Sequence, residues 1–361
     1  MLLWVCASLA QAGGVTVQTL DIKGKNARGE AYAKGQMTLP VVKARAAADE
    51  ALVRRINDRL VFSSTEGNES QQFTVSRNDD RVLTIAFDNE GCGAYCENYN
   101  TYFSFDLKDG TVLTAANLFT PAGLQALSVR LRQEQITLYT QQLASLGKEL
   151  RAARAKGSKQ AVQDATSDLG ERIELNQSCL DGLRSRAKEA SSQQGPARPF
   201  GNGEFEVAAK AFKLTAGRCS NHAMRALDDV GDVTLSLSYA ALAPWLSAYG
   251  RAVLLGEGSA APAERIYGQV LRGTLGGKTA ITMLLESEEG DGVSGAYFYD
   301  KFRRPIALSG TRRGPALELK EQVDGKPESD ATLSLSVAGD ELSGRWASKA
   351  ANKQFDLRLA P

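Results

Sequence analysis

The last hundred residues confine the fold more tightly than any other stretch of the chain. Between 265 and 361, short alternating apolar segments recur roughly every ten residues, at 266–271, 279–285, 293–299, 306–308, 317–319, 331–337, 342–346 and 355–359, with Gly, Asp and Pro between them. Alternation with period two gives each segment one face for a core. Eight such strands in an open sheet would leave two long unpaired edges, and closure into a barrel or sandwich removes them. The expectation is therefore an antiparallel β-barrel-like unit over 265–361, preceded by a Gly/Ser/Ala/Pro-rich linker at 256–264. Within it Tyr297 and Tyr299 share a face and Phe298 points the other way.

The preceding part, 13–255, reads as α+β with an antiparallel sheet. Strands are expected near Val15–Leu20 and 37–42, the latter at an edge because it contains Pro40. Leu52, Val53, Ile56 and Leu60 recur at helical spacing inside 46–60. Alternating segments follow at 73–75, 82–87 and 99–107, and Lys108-Asp109-Gly110 turns the chain into 111–113. Residues 121–194 change character. Pro121 starts an apolar stripe through Leu124, Leu131, Leu138 and Leu146, Gly157-Ser158 breaks it, and Val162, Leu169, Leu175 and Leu183 carry a second one. This predicts an inserted helical hairpin, either a partner-binding arm or a helix pair packed on its own sheet, the commoner fate of an amphipathic face. Strands resume at 204–214 and 233–239, and a short helix is expected over 240–249 around Pro244 and Trp245.

Residues 1–12 read as a signal peptide. Leu2 to Leu9 form a short apolar run, and Ala10-Gln11-Ala12 supplies the small residues of a cleavage site. No Lys or Arg precedes the run, which implies a native start further upstream. Trp4 and Val5 argue against a lipid-modified Cys6. No later stretch reaches the roughly twenty apolar residues of a membrane-spanning helix. The expected location is periplasmic or secreted. A formal charge of +1 does not provide the cationic surplus that nucleic-acid binding demands. Removing Cys6 leaves Cys92, Cys96, Cys179 and Cys219, an even set in an exported chain. Disulfides Cys92–Cys96 and Cys179–Cys219 are the favoured pairing, since Gly93 permits a tight turn. A zinc set of Cys92, Cys96, Cys219 and His222 is the rival, at the cost of leaving Cys179 a free thiol.

Tyr102-Phe-Ser-Phe-Asp-Leu-Lys-Asp-Gly110, with Val112-Leu113 and Asn117-Leu-Phe119, resembles the NFDLKTG-x-x-L-x-L-x-DLF signature. That signature marks the extracytoplasmic domain shared by the RsiV anti-sigma factor and the N-terminal part of the peptidoglycan deacetylase PdaC. Val233 to Tyr239, with Leu242 and Trp245-Leu246, is similar to that family's closing strand and short helix. The resemblance spans about residues 36–250 and is interrupted by a longer helical segment. Where the family often has Gly-Ala-His, this chain has Gly93-Ala94-Tyr95 between two cysteines, so the role of that histidine is absent or replaced. The chain carries neither RsiV's membrane span nor PdaC's deacetylase domain. The resemblance implies an envelope binding module, which in RsiV senses lysozyme. Gly295-Ala-Tyr-Phe-Tyr299, Pro305-Ile306, Leu317-x-Leu319-x-Glu321 and Gly344-x-Trp346 resemble a small β-domain of uncharacterised envelope proteins, where these phrases carry structure.

A hydrolase needs a nucleophile with a base, paired carboxylates or a metal. The sequence has one histidine, His222, and lacks G-x-S-x-G, H-E-x-x-H and phosphate-loop motifs. Asp106 and Asp109 flank a turn, where Asp bonds its own backbone. Asp228, Asp229 and Asp232 lack the spacing of an EF-hand and read as a solvated loop. No catalytic residue is assigned and no cofactor is expected. The binding candidates are Tyr95, Asn98, Tyr99 and Tyr102, because aromatic side chains stack on sugars and dominate protein interfaces. Tyr99 and Tyr102 differ by an odd number, so an unbroken strand sends them to opposite faces. Three functions follow: a non-enzymatic envelope protein binding a lysozyme-like hydrolase or peptidoglycan, a glycan hydrolase using His222, or an adaptor docking through the 124–190 hairpin.

Overall fold

The computed structural model describes residues 14–361 except 27, 47–48, 63–67, 93–95, 156–158, 193–199, 201–203, 289 and 323–330; the side chains at 159–161, 165, 189–192 and 222 also lie outside the description. Residues 1–12, read above as a signal peptide, fall outside it. The fold is mixed α and β, with small antiparallel sheets and helices followed by a closed eight-stranded antiparallel barrel.

The chain opens with β1 (Thr16–Asp21) paired to β2 (Thr38–Lys43), Pro40 lying opposite Thr19. Helix α1 (Glu50–Phe62) begins four residues later than its apolar spacing suggested, after Asp49 accepts the Ala46 amide. Then β3 (Asn68–Asn78), β4 (Val82–Cys92) and β5 (Cys96–Asp106) form a meander. Val82 to Ile85 are all buried, because both faces of β4 are covered. Leu83, Ile85 and Phe87 face α1 and β2, while Val82 joins a second core.

That second core is built on β6 (Phe205–Val207), β7 (Phe212–Ala216) and β8 (Val233–Leu237). It is roofed by α2 (Ala115–Leu118), the first turns of α3 (Pro121–Ala155), α5 (Tyr239–Leu242) and α6 (Ala248–Leu255). The single helix expected over 240–249 is thus two. Pro244 has no N–H to continue the helical ladder, and Ser247 restarts the helix by capping the Gly250 amide.

Helix α3 and α4 (Lys159–Ser192) make the hairpin. Its base is packed at home: Leu124, Leu127 and Leu131 enter the second core, and Tyr139 packs with Leu175, Cys179, Leu180 and Leu183. Further out, Leu146 and Leu169 are the buried residues.

Strands β9 (Val270–Leu275), β10 (Thr279–Ser287), β11 (Gly292–Tyr299), β12 (Ile306–Arg313), β13 (Ala316–Gln322), β14 (Ala331–Ala338), β15 (Glu341–Ser348) and β16 (Lys353–Ala360) close when β16 pairs with β9. Two boundaries differ most from the sequence expectation. The first strand is displaced from 266–271 to Val270–Leu275, and β12 runs to Arg313 instead of stopping at 308. Glycine is the reason. Gly273, Gly295, Gly310 and Gly344 occupy inward positions, where a Cβ would overlap a carbonyl oxygen of the adjacent strand (Arg358, Leu284, Glu318 and Ser334 respectively). These glycines are corners that let the sheet bend closed, not strand ends.

The barrel docks on the first part through buried polar contacts. Arg59, only 4% exposed, donates to the Gly268 carbonyl and to Glu286, both at 2.9 Å, and lies 4.4 Å over the Phe103 ring. Burial presses the Arg59 pKa down and pushes that of Glu286 up, while their mutual attraction opposes both shifts. Arg265 bridges Asp109 (2.8 Å) and Asp340, and Phe62 stacks on Phe298.

Candidate functional site

Strand β5 runs antiparallel to β4 without a register shift from Val82↔Asp106 to Cys92↔Cys96, and a disulfide joins the last pair. A groove of about 610 Å³ follows its outer half. One wall is the consecutive run Glu97 to Tyr102; the other is Glu204, Thr215, Gly217, Arg218, Ser220 and Asp232. Six consecutive residues of a strand can line one groove only if the groove follows the backbone edge, since side chains on one face alternate.

Of the sequence candidates, Asn98, Tyr99 and Tyr102 come together here. Tyr95 lies outside the described residues. Tyr99 is 37% exposed and its hydroxyl donates to Asn68 Oδ1 at 3.1 Å, which fixes the ring beside Gly91. Tyr102 is half-buried, and burial followed by the charge of Glu206 raises its phenol pKa. Arg218 reaches across to pair with Glu97, and its amide donates to Asp232 at 2.8 Å. The lining can hydrogen-bond a ligand from both walls and includes two tyrosines. Arg218 and Thr215 were not foreseen, and Asp232 was read only as part of a solvated loop: all three lie over a hundred residues from β5 in sequence.

The second disulfide, Cys179–Cys219, pins α4 to the segment leaving β7. The adjoining loop is organised by Asp228, which accepts from Tyr139 Oη (3.1 Å) and from the amides of Ser220 (3.0 Å), Val230 (3.3 Å) and Gly231 (3.1 Å). Burial alone would raise the Asp228 pKa, but the Gly231 and Ser220 donors outweigh it and the net shift is downward. Asp229 binds Arg172 at 2.5 Å, so this acidic run works within the loop and the hairpin base. His222 opens a 3-10 turn (His222–Leu227); its imidazole is outside the description. The turn carboxylates behave similarly: Asp106 accepts from the Lys108 amide and Tyr249 Oη, and Asp109 accepts from the Thr111 amide.

The zinc alternative needs thiolates, and its three cysteines are bonded here, Cys92 with Cys96 and Cys219 with Cys179. Among the described residues the one cluster of metal-ligand type is Glu90, Cys92 and Cys96, whose ligand atoms lie within 4.8 Å of one another. In the disulfide its two sulfurs offer no thiolate.

A smaller cavity of about 300 Å³ lies between the two parts of the molecule, beside Thr114–Asn117, Phe200, Tyr267 and Ser287. The Arg312–Glu264 pair forms part of its wall, and Arg59 holds the Glu286 carboxylate.

No helix among the described residues is long and apolar enough to cross a membrane. No protein-family signature and no curated protein matches the sequence. Among solved structures, the chain is similar to a DUF3298 family protein from Pseudomonas aeruginosa PAO1, at 12% identity and a TM-score of 0.33, covering 65% of this chain and 96% of that one. It is also similar to a DUF3298 family member from Bacteroides fragilis NCTC 9343, at 12% identity and a TM-score of 0.31, covering 66% and 96%.

Proposed function

We propose that the chain is an exported, non-enzymatic binding protein of the bacterial cell envelope. In this reading residues 1–12 are removed, 13–255 form a binding unit of the RsiV/PdaC extracytoplasmic type, and 265–361 form a supporting barrel. The groove along β5 takes the ligand, either a lysozyme-like hydrolase or peptidoglycan. The observation that carries the reading is the convergence of Asn98, Tyr99 and Tyr102 with Arg218 on one open groove. The two disulfides support an oxidising compartment. Binding is favoured over hydrolysis because Asp228, the carboxylate nearest His222 in sequence, already has its oxygens committed to the loop.

The test is retention of the purified full chain on immobilised lysozyme and on purified sacculi. Retention on at least one is expected, and the Tyr99→Ala/Tyr102→Ala double variant should bind at least about tenfold more weakly, roughly 1.4 kcal/mol. Retention on neither material defeats the reading.

A further inference from the structure

The groove is bounded by a half-used strand edge. At its inner end, Asp106 donates its amide to the Thr111 carbonyl (2.8 Å) and Ser104 accepts from the Leu113 amide (2.7 Å), around an antiparallel bridge from Phe105 to Val112. Ser104 and Asp106 therefore turn their backbone groups away from β4. In an antiparallel pair this direction alternates with period two, and the β4–β5 register is unbroken. So Asn98, Asn100 and Tyr102 also present their N–H and C=O outward. Among the described residues no backbone group pairs with them. After Leu113 the short added segment turns away into α2, and the ladder it began stops with three rungs unfilled.

Several other edges of the molecule are blunted. β3, the opposite edge of the same sheet, carries two register shifts and is bridged to Met37. β2 contains Pro40, and the barrel has closed. β5 has no proline, lysine or bulge from Glu97 to Tyr102, the devices that otherwise discourage strand addition. The disulfide at its far end holds the edge in one register, which lowers the ordering cost of binding.

We propose that the outer half of β5 takes an extended polypeptide segment of a partner protein as an added strand, continuing the ladder begun by Thr111–Leu113. This rests on the envelope-binding reading and narrows its ligand to a protein. Donor–acceptor pairs repeating about every 6.8 Å along a line match a polypeptide backbone. The polar walls then meet the side chains of the incoming segment.

The probe is a linear dodecapeptide selected on the oxidised full chain from a random phage-displayed library, then synthesised. In the free protein the amides of Asn98, Asn100 and Tyr102 should exchange rapidly, and those of Tyr99 and Thr101 slowly. The peptide should slow the first three at least tenfold. N-methylating alternate peptide amides should weaken binding at least tenfold, and so should Asn100→Pro, which an outward-facing N–H allows the fold to tolerate. Asn98→Pro gives an independent version of that test. The proposal is overturned if no peptide is selected, or if selected peptides leave these amides unchanged and ignore both prolines. Protection that rises with protein concentration and no peptide would assign the edge to a second copy and also overturn it. Retention on sacculi without peptide binding would defeat this inference alone; loss of both would defeat the envelope reading too.

Discussion

The barrel and the β3-β4-β5 sheet are both antiparallel meanders, but they end differently. In the barrel every strand finds two neighbours, and seven of its eight pairings join strands consecutive in sequence. Its inward glycines make the last pairing, β16 with β9, geometrically accessible. The three-stranded sheet has no such closure. Its faces are covered by distant segments, its outer strands remain edges, and the second core beside it is tied by a disulfide forty residues long. A closed meander is stabilised by its own topology; an open one borrows staples and keeps an edge for other uses.

Cutting the staple should give the largest effect. The Cys179→Ser/Cys219→Ser variant should lose about 4 kcal/mol, the loop-closure value for this separation. Denaturation followed at the helical signal should show it, while amide protection within the barrel stays unchanged below the transition. If the loss spreads equally to barrel amides, the two regions share one cooperative unit and the contrast fails. Gly310→Ala attacks the other side of the comparison. Its Cβ would press on the Glu318 carbonyl, and a destabilisation of about 3 kcal/mol, at the upper end for overpacking, should appear first in β12 and β13. A neutral outcome would mean the corner can relax.

The smallest effect sharpens the comparison by pH. Asp228 titrates below the ordinary carboxylate range in the folded protein. Its contribution is complete above the unfolded value near pH 4 and disappears as pH falls through the lower folded value. Asp228→Asn should therefore cost stability at pH 7 and flatten the acid limb of a plot of Tm against pH below about 4. An acid limb identical to that of the parent protein would remove Asp228 from the account.

Much of this architecture is legible because local pattern decides it. Alternation in the final hundred residues predicts eight strands, and the 3.6-residue stripes predict both long helices. The boundaries at Gly273 and Gly310 are not legible, since glycine marks a turn and a barrel corner with the same letter. Half of the groove is readable as well: the tyrosines signal one wall. The opposite wall depends on how β7 settles beside β5, and nothing local to Arg218 or Asp232 announces that. The anchoring of the hairpin is equally non-local, resting on Tyr139 and Cys179 meeting a loop 89 and 40 residues further on.

Arg59 has a consequence for the order in which the molecule can be completed. Its hydrogen-bond partners, the Gly268 carbonyl and Glu286, lie 209 and 227 residues downstream. Chain growth delivers α1, β4 and β5 before the barrel, so Arg59 and its Phe103 platform are synthesised long before the acceptors they meet in the folded protein. On the side of the first part, the seam is polar at its centre, at Arg59, and aromatic at Phe62. Such a surface hydrates more readily than an all-apolar seam would, so a chain whose barrel is not yet in place would expose less apolar area for self-association.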